Sequence, residues 1–266
     1  MSQQLKPTLF QYAACPFCWK VRSILAFKGI DYDTVEVHPL NKKELSFTKY
    51  KPVHLLDRMN KLPEEERKKY DQDYKKVPLF ADANGCLLPE STDIMRLIDA
   101  QYPEPKVFTD SAQEKEWLEW SDKVFVRAIP PLIYETFGQA RKAFDYITKV
   151  SKFNWLQQRL IKYTGAFVMV RVAKGTRKTL GIENPKEHFK SCLNHLVEGM
   201  GGRDYLGGDR PNGADLAIFG FVRSIEELPE FSLVQGNQDA YAWFQRLLKQ
   251  VELADRGMGV QSCFCA

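Results

Sequence analysis

Strand signals are confined to the first hundred residues of this 266-residue chain, and helical periodicity takes over after them. That change of pattern constrains the fold more than any other feature, because it calls for a small α/β unit followed by an all-helical one. Thr8-Leu9-Phe10-Gln11-Tyr12 reads as a short strand, and Val21, Ile24 and Leu25 set a helix that Gly29 stops. Tyr32 to Val37 is a second, β-branched strand. Asn41, with Glu44 three residues on, opens a further helix as a capping box. Val77-Pro78-Leu79-Phe80 and Cys86-Leu87-Leu88 are strands joined by Asp82-Ala83-Asn84-Gly85, whose Asn-Gly step predicts a hairpin. Pro89-Glu90-Ser91 then starts a helix through Asp99. The order β-α-β-α-β-β-α predicts a parallel pair plus an antiparallel hairpin.

Pro103-Glu104-Pro105 is the expected linker, dividing the chain into residues 1–103 and 104–266. Beyond it, Ala214, Ala217, Ile218, Phe221 and Ile225 fall on one helical face. Residues 51–76 interrupt the first unit. From Asp57 to Lys76, 13 of 20 residues are charged, which reads as a solvated surface insert or a partner-docking one.

The chemistry is concentrated at Cys15-Pro16-Phe17-Cys18, directly after a strand and at the mouth of a helix. The thiolate is the reactive species, and the unpaired N–H groups at a helix start favour it. Cys15 lies just ahead of the first turn and is the expected thiolate. Pro16 suits the helix start, where its missing N–H costs nothing. Cys18, one turn on, is placed to resolve a mixed disulfide or to pack. A zinc half-site is the alternative, but no second Cys-x-x-Cys or histidine cluster completes it, so no metal is expected.

Two other features converge on this thiol. Val77-Pro78 is a candidate cis bond that would free the Val77 backbone for a ligand's amide, although a trans proline also begins strands. Glu90-Ser91 stands at a helix N-terminus, which is either an anion site or a plain cap. Thiolate, extended-peptide ledge and carboxylate cradle together suit a small acidic thiol peptide, and glutathione fits that description.

With these residues the chain resembles the glutathione transferase superfamily, which implies a thioredoxin-like α/β domain followed by an all-α glutathione transferase C-terminal domain. Pro211-Asn212-Gly213-Ala214-Asp215-Leu216-Ala217 is similar to the superfamily's buried capping motif, with Asn212 as N-cap. The stretch from Phe10 through Cys15-Pro16-Phe17-Cys18 to Arg22 resembles the prostaglandin E synthase type 2 family. Trp117 to Trp120, Phe144-Asp145-Tyr146-Ile147, Lys162-Tyr163-Thr164-Gly165-Ala166 and Gly207-Gly208 agree with it. That resemblance implies a glutathione-dependent isomerase converting prostaglandin H2, a lipid endoperoxide, to prostaglandin E2. Carried over, Cys15 is the catalytic thiol, Tyr12 hydrogen-bonds to it, Phe17 lines the pocket, and Val77, Pro78, Glu90 and Ser91 hold glutathione. Haem bound together with glutathione is also implied. Here the sequence departs: Arg127, in Trp120-Ser121-Asp122-Lys123-Val124-Phe125-Val126-Arg127, stands where the family has a histidine, leaving Arg127 to pair with a haem propionate.

Lys and Arg number 38 against 34 Asp and Glu, a net charge of +4, too mild to argue for nucleic acid as a partner. Six cysteines, unevenly spaced, do not make a secreted disulfide framework, and the first residues carry no leader pattern, so a cytoplasmic location is expected. Membrane association is the alternative. Residues 159–178 mix Ala166-Phe167-Val168-Met169-Val170 with six Lys and Arg, reading as a buried helix with snorkelling cations or as a helix lying on an anionic membrane surface. Cys263, fourth from Ala266, is compatible with a farnesylation box. A homodimer is expected. Two rival functions share the same cysteines: a glutathione-dependent thiol-disulfide oxidoreductase using Cys15 and Cys18 in turn on a mixed disulfide, and a non-enzymatic haem-glutathione or iron–sulfur binding protein.

Overall fold

The computed structural model describes residues 6–39, 41–46, 74–150 and 155–256. The strand β1 (Thr8–Gln11) leads into α1 (Pro16–Phe27), and β2 (Asp33–Glu36) returns parallel to β1, Thr8 opposite Asp33 and Gln11 opposite Glu36. β3 (Leu79–Ala81) runs antiparallel to β1 and pairs with β4 (Leu87–Pro89), giving the sheet order β2-β1-β3-β4. The turn between β3 and β4 is held by Asp82, whose carboxylate accepts the Asn84 and Cys86 amides at 2.9 Å each, while Gly85 takes φ 78°. The chain then forms α2 (Ser91–Gln101), so the strands, α1 and α2 follow the order read from the sequence, a thioredoxin-like unit, while the described residues between β2 and β3 hold only a 3-10 turn.

Helices make up the rest: α3 (Ala112–Trp120), α4 (Val126–Ile133), α5 (Phe137–Val150), α6 (Trp155–Leu180), α7 (Pro185–Met200), α8 (Gly213–Arg223), the short α9 (Ser232–Gln235) and α10 (Gln238–Arg256). A wide π turn, Ser121–Phe125, joins α3 to α4. The helix after Pro211 begins as expected. Asn212 accepts from the Ala214 and Asp215 amides, and Asp215 accepts from Asn212 N–H at 3.0 Å, closing the capping box. Asp215 also takes bonds from the Leu206 and Gly207 amides and from Trp243 Nε1 at 2.9 Å. Burial pushes its carboxyl up, while these donors oppose the shift. Every residue from Gly213 to Val222 is buried, so α8 is packed on all sides.

α8 is the element on which the α/β unit rests. Gly220 meets α1 so closely that a Cβ there would lie 2.6 Å from Lys20 Cα and Lys20 N. Phe17 stacks edge-on against Phe221 at 5.6 Å, and Arg22 lies over Trp19 at 3.7 Å with Arg223 on the same ring at 5.1 Å. One core therefore runs from Leu9 and Val21 through Phe125 and Phe189 to Phe244.

Two expectations are corrected. Asn41 and Glu44 do not form a capping box: Asn41 Oδ1 accepts from Lys43 N at 3.2 Å, Lys42 adopts φ 49°, and Glu44 reaches back to His38 N at 3.0 Å. The result is a short 3-10 turn, Lys43–Leu45, because Asn41 serves an Asx turn rather than a cap. Residues 159–178 are not a buried helix. α6 buries Ala166 and Ala173 but leaves Leu160, Phe167 and Val168 more than half exposed. The cause is the small inner face: Gly165 touches the Phe144 ring so closely that a Cβ would sit 2.4 Å from it, and the large side chains turn outward. Among the described residues no helix is long and apolar enough to cross a membrane. Residues 51–73 of the charged stretch, and Cys263 and Cys265, lie outside the described residues.

Candidate functional site

Cys15 is the N-cap of α1, with extended backbone at φ −76° and ψ 121°, and Pro16 takes the first helical position. Its carbonyl accepts from Cys18 N and Trp19 N at 3.0 Å each, and its own N–H donates to Tyr12 O at 3.0 Å. The first turn of α1 holds no acidic residue, so no carboxylate competes with the sulfur for the helix end. The Cys18 thiol donates to Cys15 and is the largest influence holding the Cys15 pKa below the ordinary thiol value. The Cys18 and Phe17 amides add to it, against burial. Cys18 is fully buried, and burial together with the neighbouring Cys15 charge pushes its own thiol well up. The pair is therefore asymmetric: an acidified thiol on a half-buried residue at the helix mouth and a fully buried, protonated one behind it.

Two clefts meet at this turn. The first, of about 500 Å³, is polar and runs from Phe17 past Val77, Pro78, Glu90 and Ser91. The Val77–Pro78 peptide is cis and precedes Leu79, the first paired residue of β3. Ser91, 7% exposed, is the first residue of α2, and Glu90 ahead of it holds φ 67°, a left-handed conformation unusual for a residue with a side chain. Glu90's own side chain is exposed to solvent. The second cleft, of about 390 Å³, is mainly apolar and runs from Ala14, Pro16 and Phe17 along α4 to α6. Phe17 and Asp122 line both. Of the residues singled out in the sequence, Phe17, Val77, Pro78, Glu90 and Ser91 surround the polar cleft, whereas Arg127 lies in the apolar one.

Tyr12 directly follows β1 and packs half-buried with Phe10, Val37 and Leu79, and its bond to Cys15 is between main chains. Burial first, then the Cys15 charge, pushes its phenol up to about 12. Glu36, whose carboxylate accepts from Ala13 N at 2.8 Å, adds negative potential beside this loop.

Four residues of the site carry no signal in the sequence. Lys20, two residues past Cys18, is completely buried, and its Nζ donates to Asp122 at 2.7 and 2.9 Å and to Thr92 Oγ1 at 2.6 Å. Burial lowers the Lys20 pKa, and Asp122 opposes that shift. Tyr134, at the C-terminal end of α4 and 8% exposed, lines the apolar cleft. Burial, then the Cys15 charge, raises its phenol, which keeps its proton at neutral pH. Tyr74 and Lys76, at the end of the charged stretch, line the polar cleft, and the Glu90 amide donates to the Tyr74 phenol oxygen. No local pattern announces these contacts, since 102 residues separate Lys20 from Asp122.

Comparison with known proteins agrees with this architecture. Residues 9–106 match the family model of the glutathione S-transferase N-terminal domain, and residues 182–250 that of the C-terminal domain. The chain is 28% identical to prostaglandin E synthase 2 of Mus musculus, an alignment covering 96% of this chain and 72% of that one. It is also 28% identical to the Danio rerio protein of the same name, over 95% and 73%. Glutathione S-transferase omega-1 of Mus musculus is 27% identical over 80% of this chain and 65% of its own. Among solved structures, a glutathione S-transferase from Rhodospirillum rubrum superposes with a TM-score of 0.58 at 18% identity, covering 96% and 93% of the two chains. FzlA from C. crescentus does so at 0.58 and 15%, covering 97% and 94%. These structures share the fold.

Proposed function

This chain belongs to the glutathione S-transferase superfamily, and on that premise we propose that it is a glutathione-dependent isomerase that converts prostaglandin H2 to prostaglandin E2 at Cys15. The observation that carries the proposal is that the turn holding the acidified Cys15 borders two clefts, Phe17 lining both the polar, peptide-sized one and the apolar one, with Ala14 and Pro16 on the apolar side. In this reading residues 1–103 form the glutathione-binding domain, and residues 104–266 supply most of the apolar cleft.

The polar cleft suits glutathione. The buried Ser91 and the N-terminal end of α2 would receive the γ-glutamyl carboxylate. Val77 and Pro78, in the same cleft, form the ledge for the cysteinyl amide of glutathione. When bound, glutathione supplies a second thiol beside Cys15. Haem does not fit equally well: the apolar cleft offers Arg127 but no histidine among its lining residues, hence no imidazole for the iron.

The chemistry follows from Cys15 and the two phenols. The Cys15 thiolate attacks one oxygen of the endoperoxide, forming an S–O bond as the O–O bond breaks. The other oxygen leaves as an alkoxide and takes a proton from Tyr134 or Tyr12, whose raised pKa values keep them protonated. Removal of the hydrogen on the carbon bearing the sulfur-bound oxygen forms the ketone, and the S–O electrons return to Cys15. One proton enters and one leaves, so substrate and product are isomers and the thiolate is regenerated.

A second reading, glutathione-dependent thiol-disulfide exchange, is favoured by the asymmetry of the cysteine pair, since a low-pKa first cysteine and a protonated second one suit attack followed by resolution. The two are separated by incubating the protein with prostaglandin H2 and reduced glutathione, and the same sample with a glutathione mixed disulfide. Prostaglandin E2 formed above the spontaneous rate, lost in Cys15→Ser and kept in Cys18→Ser, is the expected result. Disulfide reduction alone would replace the isomerase reading with the exchange one. A homodimer and a membrane contact belong to the same proposal and are read by sedimentation and by flotation with liposomes.

A further inference from the structure

Among the described residues, the apolar cleft contains one charged group that no opposite charge neutralises. Its walls are Val126, Ile129, Ile133, Met169 and Val172, from α4 and α6. Of its polar members, Asp122 is taken up by Lys20 and Thr92. Arg127 is exposed, and among the described residues no acidic side chain pairs with it. An arginine at an aliphatic wall without a carboxylate of its own is an anion subsite, because the guanidinium presents a planar fork that matches a carboxylate in two hydrogen bonds.

The helix sets the spacing. Arg127 and Tyr134 are seven residues apart on and just beyond α4, two turns, so they follow one face about 10 Å apart along the axis. Tyr134, near enough to Cys15 to feel its charge, marks one end of this spacing and Arg127 the other. Val172, which forms part of the opposite wall, is 44% exposed and continues into the uncovered apolar strip of α6 at Val168 and Phe167. A chain of methylenes lying between the two ends would bury its length on these walls while its head met Arg127.

We propose that the apolar cleft selects aliphatic carboxylic acids, with Arg127 as the residue that binds the carboxylate and so orients the chain toward Tyr134 and Cys15. The inference deepens the isomerase reading and rests on that reading's assignment of the cleft to substrate. It assigns Arg127 to substrate selection and gives the glutathione cleft no part in it.

The test uses a fluorescent polyunsaturated acid, cis-parinaric acid, and its methyl ester, titrated into the whole protein without glutathione. The wild type is expected to bind the acid at least tenfold more tightly than the ester. Arg127→Gln should erase that difference by weakening the acid alone, and Arg127→Lys should keep most of it. Far-UV circular dichroism and thermal melts establish that the variants are folded. Equal affinity of the wild type for acid and ester, failure to bind either, or an acid preference that survives in Arg127→Gln would each overturn the proposal. The binding result is independent of turnover: an acid preference governed by Arg127 in a protein that makes no prostaglandin E2 would leave this inference standing and remove the isomerase reading.

Discussion

Lys20 Nζ lies 2.7 Å from Asp122 Oδ1, a fully buried ammonium on α1 held by a one-third exposed carboxylate on the π turn between α3 and α4. The pair ties the helix that carries Cys15 to the segment that leads into the apolar cleft, with Thr92 of α2 as the third member. Removing the carboxylate leaves a buried charge without compensation. Asp122→Ala should therefore lose about 3 kcal/mol in urea unfolding, and Lys20→Met/Asp122→Ala should recover part of it, because neither charge is then present. A double variant no more stable than Asp122→Ala would show that the pair is not what holds these segments.

Gly220 has a separate structural duty. With a Cβ only 2.6 Å from Lys20 main-chain atoms, Gly220→Ala forces α8 and α1 apart or unfolds their contact. The expected cost is about 1–3 kcal/mol, as for other overpacked cores. The same variant should slow alkylation of Cys15, since the first turn of α1 shifts with the helix. Gly175, where a Cβ meets nothing within 4 Å, is the control, and Gly175→Ala should be neutral or stabilising.

The Cys15 thiol titrates below the ordinary cysteine value, so its alkylation by iodoacetamide should rise with pH and reach half its maximum below the midpoint of an unperturbed thiol. Cys18→Ala removes the hydrogen bond most responsible and should move that midpoint upward. Cys18→Ser keeps a donor and should move it less. An unchanged midpoint in Cys18→Ala would assign the acidification to the main-chain amides alone.

Asp99, 2% exposed, accepts from Lys28 Nζ at 2.8 Å and from the Val107 and Phe108 amides at 3.0 and 3.1 Å. Burial raises its carboxyl, but these donors outweigh burial and the net shift is downward from 3.8. A depressed carboxyl stabilises the fold above its unfolded value and loses that contribution as pH falls through the folded one. Unfolding free energy should therefore decline as pH drops below 3.8, and Asp99→Asn should flatten that acid limb while lowering stability at neutral pH. Urea titrations at a series of acid pH values read both effects.

If Tyr134 donates to the departing oxygen, Tyr134→Phe should lower kcat for prostaglandin E2 formation by about 10- to 100-fold with little change in KM. Tyr12→Phe, at the other phenol that feels the Cys15 charge, provides the comparison. A loss confined to Tyr12→Phe would move the donor role to that residue.

Features whose cause is local were legible in the sequence. Pro16 after Cys15, Asn84-Gly85 between two apolar runs, and Asn212 with Asp215 each fix a helix start or a turn through bonds within four residues, and the structure contains all three. The parallel-plus-hairpin sheet followed from the order of those signals. Asn41 and Glu44 show the limit: the same spacing served an Asx turn and a bond to His38, because the composition of a cap does not decide which amide it captures. α6 shows another. Its apolar and basic residues were plain, but which of them face inward was decided by Gly165 against Phe144, a contact between two helices.

The sequence by itself determined the order of elements, the thiol at a helix mouth and the cap that starts α8, since each depends on neighbours along the chain. Only the tertiary structure decided that Lys20 meets Asp122, that Tyr134 lines an apolar cleft near enough to Cys15 to feel its charge, and that Arg127 belongs to that cleft rather than to the glutathione side. Those relations are set by how α1, α4, α6 and α8 pack, and packing selects partners by shape and burial, which leave no spacing in the chain to read.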